Sequence, residues 1–325
     1  MTRTPALTRG PLVLAVVLAG TLALPAVGHA ATAFGSRLNH DPANSGECMS
    51  FPTPCTIASF IHPTDPSGDP SSAGAPVGGV ITKFRIRGFG QGGSAATVTF
   101  RLANVSRPDP ANDDAAVASL VADGPTVTIP ASTASETPIL EFPARVLVSP
   151  GNHLALEGTN IWATYNTSGD QFSYVFNPPL VAGQGPRGSV SATGELLVQA
   201  VIEPDADGDG FGDETQDGCP TQSQNQGACD TSGPGISKIA VGARRVSYRL
   251  SENASMTFRV QRLRGGRYRS LRGRFKDAGE AGANRRALPR RFRRSRLSPG
   301  RYRMLVTGTD QFGNTAQKKK RFRVR

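Results

Sequence analysis

Apolar and polar positions alternate with a period of two along most of the chain. Thr82, Phe84 and Ile86 alternate with Lys83, Arg85 and Arg87, and Val98, Phe100 and Leu102 alternate with Thr97, Thr99 and Arg101. Successive strand side chains point to opposite faces, so this pattern predicts strands with one face buried and one in water. Further strands are expected near 115–122, 125–130, 138–148, 153–157, 160–165, 171–176, 188–192 and 195–203. Turn residues separate them at Asp123-Gly124-Pro125, Ser149-Pro150-Gly151, Asn177-Pro178-Pro179 and Thr193-Gly194. So many short strands imply an antiparallel sandwich of jelly-roll-like form. Residues 31–75, with Pro and Ser clustered at 63–76, lack the alternation and read as an irregular lead-in.

The alternation returns in the last ninety or so residues, where Ile236–Val241, Arg244–Leu250, Ser255–Leu263, Arg267–Arg274, Arg286–Phe292, Arg301–Gly308 and Gln317–Val324 read as strands. That spacing suits a second sandwich. In Leu297-Ser298-Pro299-Gly300-Arg301-Tyr302, a Leu and a Pro-Gly turn precede a Tyr that opens the next strand. This arrangement resembles the tyrosine corner of immunoglobulin-like sandwiches. Residues 236–325 as a whole resemble a bacterial immunoglobulin-like or fibronectin type III-like module. The expected fold class is therefore all-β. A jelly-roll-like sandwich over 31–203 and an immunoglobulin-like sandwich over 235–325 are joined by a linker over 204–234. Gly (37) and Pro (25) are abundant in the 325 residues, which argues against long helices.

The linker has almost no apolar content beyond Phe211 and cannot build a core. Its chemistry lies in Asp205-Ala206-Asp207-Gly208-Asp209-Gly210-Phe211-Gly212-Asp213-Glu214-Thr215-Gln216-Asp217-Gly218-Cys219-Pro220. Calcium takes six to eight hard oxygen ligands at about 2.3–2.6 Å. Asp205, Asp207 and Asp209 alternate, so their carboxylates can share one concavity. Gly210 permits the sharp turn that aims the Phe211 carbonyl inward, and Asp213 takes the ninth position. This follows the EF-hand ligand order. Position twelve is Gln216, and Asp217 is the anionic residue beside it; either can close the site. The stretch resembles a thrombospondin type 3 repeat more closely still, through its Asp-x-Asp-x-Asp-Gly-x-Gly-Asp run and its Cys219-Pro220 ending. The resemblance implies that calcium is bound by the Asp side chains and the Phe211 carbonyl. Asp217 and Cys219 stand one residue late against that pattern, and Thr215 stands where the family often has Cys.

Charge divides the chain. Residues 31–234 carry 8 basic and 21 acidic side chains, and residues 235–325 carry 27 basic and 4 acidic. A surface of that sign attracts polyanions, such as anionic cell-wall polymers or acidic polysaccharide. Nucleic acid is not the expected physiological partner. Solvated strand faces, or attraction to the protein's own acidic half, are the bland explanations. The predominance of Arg over Lys resembles the coding bias of a GC-rich bacterial genome.

Residues 1–30 read as a secretory signal, with Arg3 and Arg9 before the apolar run Pro11–Leu24 and small residues up to Ala30. No later apolar run approaches the roughly 20 residues that span a bilayer. An exported, extracellular or cell-surface protein permits disulfides, and the four Cys fall into local pairs, Cys48 with Cys55 and Cys219 with Cys229.

Enzymatic signatures are absent. No nucleophile elbow, His-Glu-x-x-His pair or phosphate-binding Gly loop occurs. His40, His62 and His153 stand apart in sequence, and Glu136 and Glu141 are a carboxylate pair only by proximity. Trp162, Tyr165, Phe172 and Tyr174 could form a sugar-binding platform or simply a core. The expectation is a non-enzymatic, secreted, calcium-binding protein of adhesion or scaffolding. A lectin-like carbohydrate-binding module is the alternative, and a glycan-active hydrolase is third.

Overall fold

The structure is a computed structural model that describes residues 30–43, 53–60, 74–108, 115–132, 137–165 and 173–325. The signal sequence (apart from Ala30), Cys48, His62, Glu136 and Phe172 lie outside the described residues. Within them the fold is all-β, as the alternation predicted. Helical elements among the described residues are three 3-10 turns, Gln91–Gly93, Arg290–Phe292 and Arg294–Arg296. No helix among the described residues is long and apolar enough to cross a membrane.

Among the described residues, the N-terminal half is a sandwich of two main antiparallel sheets, with two short two-stranded pairings beside them. One has the spatial order Thr32–Gly35, Val198–Glu203, Gly79–Arg87, Ile139–Val148. The other runs Arg187–Gly188, Val117–Ile129, Ala96–Ser106, His153–Gly158, Cys55–Ser59, Ser173–Phe176, Ser191–Thr193. Ile81, Phe84 and Ile86 of the first pack with Phe100, Leu102, Leu154 and Leu156 of the second. The Phe84 and Phe100 rings stack at 4.6 Å. Each such side chain contributes about 1.5–3 kcal/mol on burial.

Three local readings of the sequence are corrected here. The lead-in contains two strands, and Cys55–Ser59 lies inside the larger sheet with every residue buried. Ile57 faces the main core, while Ala58 faces a second apolar cluster with Ala103, Ala155, Tyr174 and Phe176. A strand covered on both faces has no reason to alternate, so its signal was missing. Next, Asp123-Gly124-Pro125 is no turn but lies inside Val117–Ile129. The pairing slips by one residue between Thr99 and Arg101 opposite it. That bulge accommodates Pro125, which has no N–H for the ladder. A Cβ on Gly124 would sit 3.0 Å from the Phe84 ring and 3.1 Å from the Phe100 carbonyl, so a larger residue would press on both. Last, Ile81 and not Thr82 takes the core position before Phe84. The register slips between Ile81 and Lys83 against the neighbouring strand Ile139–Val148, which turns Thr82 out of the alternation.

The C-terminal half is a second sandwich. Ile236–Val241, Arg245–Leu250 and Gly282–Ala287 form one sheet. Arg267–Ser270, Ala254–Arg264, Gly300–Thr309 and Thr315–Val324 form the other, with Phe275–Gly279 also pairing to Ala254–Arg264. The Phe275–Gly279 strand was not predicted, because its polar, Gly-ended sequence shows little alternation. Tyr248, Phe258, Phe275 and Phe292 form a continuous aromatic row, with ring centroids 5.5, 4.7 and 5.7 Å apart. The Tyr302 hydroxyl donates to the Ser298 carbonyl at 2.7 Å. Tyr302→Phe is expected to destabilise this sandwich by about 1 kcal/mol. Urea denaturation of the two proteins measures the difference, and coincident curves would deny the bond a role.

Candidate metal centre

The acidic loop begins where strand Val198–Glu203 ends. Glu203, 2% exposed, is its anchor. Its Oε2 accepts the Glu214 amide (3.0 Å) and the Thr215 amide (2.9 Å). Its Oε1 accepts the Thr215 hydroxyl (2.7 Å) and the hydroxyl of the bulged Thr82 (2.9 Å). Burial alone would raise the Glu203 carboxyl. The bonds from Thr215, Thr82 and Glu214 outweigh it and hold the pKa below its ordinary value.

Other contacts complete the seat. Gln216 Nε2 donates to the Ala144 carbonyl (2.6 Å), and the Ala31 amide donates to Glu214 Oε1 (2.7 Å). The Arg145 guanidinium lies 4.3 Å from the centre of the Phe211 ring. A Cβ on Gly212 would fall 2.5 Å from both Glu203 Oε2 and Thr82 Cγ2, so only glycine lets the loop approach this closely. The disulfide Cys219–Cys229 closes the following segment. From within that segment Gln226 Nε2 donates to Asp209 Oδ2 at 2.8 Å. Cys55 is also disulfide-bonded; its expected partner, Cys48, lies outside the described residues.

The loop draws its carboxylates inward. Asp205 accepts the amides of Gly208, Asp209 and Gly210 at 2.9–3.0 Å. Gly208 and Gly210 adopt φ of 75° and 83°, which glycine alone accepts without strain. One carboxylate oxygen from each of Asp205, Asp207 and Asp209 lies within 4.8 Å of the others. Both Asp207 oxygens are buried with no hydrogen-bond partner among the described residues, as is Asp217 Oδ2. Burial, then the Asp209 and Asp217 charges, push the Asp207 carboxyl above its ordinary value. Burial and the Asp205, Asp217 and Asp209 charges raise Asp213, against the Ala206 amide that bonds it.

Asp213 and Asp217 stand outside the tight trio but within its electrostatic reach. Of the two candidates for closing the site, Gln216 is otherwise engaged: its Oε1 accepts the Gly212 amide (3.3 Å) while its Nε2 bonds Ala144. Asp217 is 5% exposed and uses only Oδ1, toward the Cys219 amide at 2.8 Å. The Phe211 amide donates to Asp209 Oδ1 at 2.9 Å. Glu203 and Thr82 were missed in the sequence. Glu203 reads as one more acidic residue near the linker, and Thr82 as a core position of a strand.

The other candidate residues that the structure describes stand in separate surroundings. His40 stacks on Tyr165 (4.0 Å), with Nδ1 3.4 Å from Glu195 Oε2. His153 is buried beside Phe60, and desolvation lowers its pKa. Glu141 is held below its ordinary pKa by the Lys83 hydrogen bond, with Arg85 adding to it, so it is a poor proton donor. Tyr174 is fully buried, and Trp162 leans on Phe89 with ring centroids 5.5 Å apart.

No protein-family model matches the chain, and no curated protein is significantly similar to it. Among solved structures, a β-glucuronidase from Ruminococcus gnavus in complex with uronic deoxynojirimycin aligns with 86% of this chain and 46% of its own, at 9% identity and a TM-score of 0.16. A GH2 β-galacturonidase from Eisenbergiella tayi bound to galacturonate aligns with 84% and 42%, at 13% identity and a TM-score of 0.16. The chain thus spans less than half the length of either, and similarity this slight carries no argument about what it does.

Proposed function

We propose that the chain is a non-enzymatic, calcium-binding surface or matrix protein, with Asp205, Asp207, Asp209, the Phe211 carbonyl, Asp213 and Asp217 as the calcium ligands. The observation that carries this reading is Asp207. Two buried carboxylate oxygens without partners, among four further Asp residues, are costly unless a cation is shared between them. An all-oxygen ligand set suits calcium, and the linker is built around it rather than around an apolar core. Export is part of the reading, and the Cys219–Cys229 disulfide supports it because such bonds persist in oxidising surroundings. Calcium titration calorimetry tests it, and Asp207→Ala plus Asp209→Ala should lower the number of bound calcium ions by one relative to the unaltered chain. A wild-type chain that gives no heat at millimolar calcium defeats it.

The basic half supplies the proposed partner surface. Arg301 pairs with Arg323 and Arg303 with Arg321 across strands Gly300–Thr309 and Thr315–Val324. Directly opposed residues share a face, so these four guanidinium groups line one side of the sheet. Lys318, Lys319 and Lys320 on the same edge strand are exposed. Charge on an edge also prevents strand-to-strand aggregation, which is its minimal role. The full chain is expected to bind heparin at low salt. Binding should fade as the Debye length shrinks from about 10 Å at 0.1 M to about 3 Å at 1 M. Arg301→Ala, Arg321→Ala and Arg323→Ala together should weaken it, and salt-insensitive binding would contradict the proposal.

A further inference from the structure

A second set of carboxylates converges where the linker enters the C-terminal sandwich. Asp230 follows Cys229 of the disulfide. Glu252 sits in the turn between Arg245–Leu250 and Ala254–Arg264, and Asp310 in the turn between Gly300–Thr309 and Thr315–Val324. One oxygen from each lies within 4.8 Å of the others. Two oxygens that share a calcium ion at about 2.3–2.6 Å stand at most about 5 Å apart, so all three fit one coordination shell.

Asp310 supplies the independent observation. It is 7% exposed, and its Oδ2 is buried with no hydrogen-bond partner among the described residues. Its Oδ1 accepts the Phe312 amide (2.9 Å) and the Asn314 amide (2.8 Å), which fixes the carboxylate and leaves Oδ2 for another ligand. The surroundings are held as well. Asn314 Nδ2 donates to the Asp230 carbonyl (2.8 Å), and Asp230 Oδ1 accepts both the amide and the hydroxyl of Ser232 (3.0 Å each). The Ser251 hydroxyl lies 3.3 Å from Glu252 Oε1. Residues 235–325 contain only 4 acidic side chains among 27 basic ones, yet two of the four meet Asp230 here. Among the described residues, none of the three carboxylates forms an ion pair. A buried, unsatisfied oxygen on a carboxylate clustered with two others is unfavourable unless a cation joins them.

We infer that Asp230, Glu252 and Asp310 form a second calcium site, which ties the end of the linker to two turns of the C-terminal sandwich. The ligands are hard oxygens from three separate segments. Calcium tolerates such irregular geometry, whereas magnesium demands a near-ideal octahedron. Water completes the shell on the exposed side.

The site is tested on the full chain, independently of the acidic loop. Asp207→Ala with Asp209→Ala disables the loop, and circular dichroism checks that this protein is folded. Calorimetry should then find one remaining calcium ion, with a dissociation constant of about 10⁻⁴–10⁻³ M. Adding Glu252→Gln should weaken that binding by about tenfold or more, and Asp310→Asn should do the same while keeping the Oδ1 acceptor for both amides. The inference is overturned if the folded, loop-disabled protein binds no calcium up to about 10 mM, or if Glu252→Gln leaves the residual binding unchanged. Should the loop-disabled protein not fold, Glu252→Gln in the otherwise native chain decides the matter. Its calcium stoichiometry falls by one if the site exists, and is unaltered if it does not.

Discussion

Glu203→Ala should release the acidic loop from the N-terminal sandwich and lower the stability of that half by about 3 kcal/mol or more. Four donors converge on this one carboxylate: two amides and two hydroxyls, at 2.7–3.0 Å. Hydrogen bonds to a charged acceptor contribute about 1.5–3 kcal/mol each, and truncation also strands the buried donors. Glu203→Gln should recover part of the loss at most, since its amide group must face a donor. The acid response gives a second readout. The folded-state pKa of Glu203 is depressed, so its stabilisation is complete above the unfolded-state glutamate pKa. It declines as the pH drops below that value and is lost once the pH has fallen through the folded-state pKa. The Gln variant should lack this portion of the acid sensitivity. Gly212→Ala should mimic Glu203→Ala, because its Cβ would press on Glu203 and Thr82 at 2.5 Å. If chemical denaturation places Glu203→Ala within about 0.5 kcal/mol of the native protein, the loop is not anchored as described.

Chelation should speed proteolytic cleavage within Asp205–Asp217, and Asp207→Ala with Asp209→Ala should remove the calcium dependence altogether. Without an ion, Asp205, Asp207 and Asp209 confront one another with carboxylate oxygens within 4.8 Å. Their repulsion favours local opening between the Glu203 anchor and the Cys219–Cys229 disulfide. At free calcium about tenfold above the dissociation constant, binding opposes that opening by about 1.4 kcal/mol, close to a tenfold change in the open population. This is small beside a domain stability of about 5–15 kcal/mol, so both sandwiches should stay folded after chelation. Calcium should therefore alter cleavage rate and solution scattering more than melting temperature. Equal cleavage rates with and without calcium would remove the proposed role of the loop.

Much of this architecture is local in origin, and the amino-acid order alone revealed it. Period-two alternation marked most of the long strands, because a strand with one wet face must alternate. The Asp run and its glycines marked the candidate site, because ligand spacing within one loop is a property of consecutive residues.

What the sequence left undecided depends on residues far apart along the chain. Strand Cys55–Ser59 is buried on both faces, with Ile57 in the main core and Ala58 in a second cluster, so it carries no periodic mark. Thr82 leaves the alternation because a bulge forms opposite strand Ile139–Val148, and 121 positions separate it from the Glu203 it serves. The surroundings of Gln216 also depend on distant residues, since the Ala144 carbonyl holds its amide nitrogen from strand Ile139–Val148. Asp230, Glu252 and Asp310 are unremarkable residues in three separate stretches. Only the closing of two turns against the linker brings their charges together, because carboxylates repel and converge only where folding forces them to.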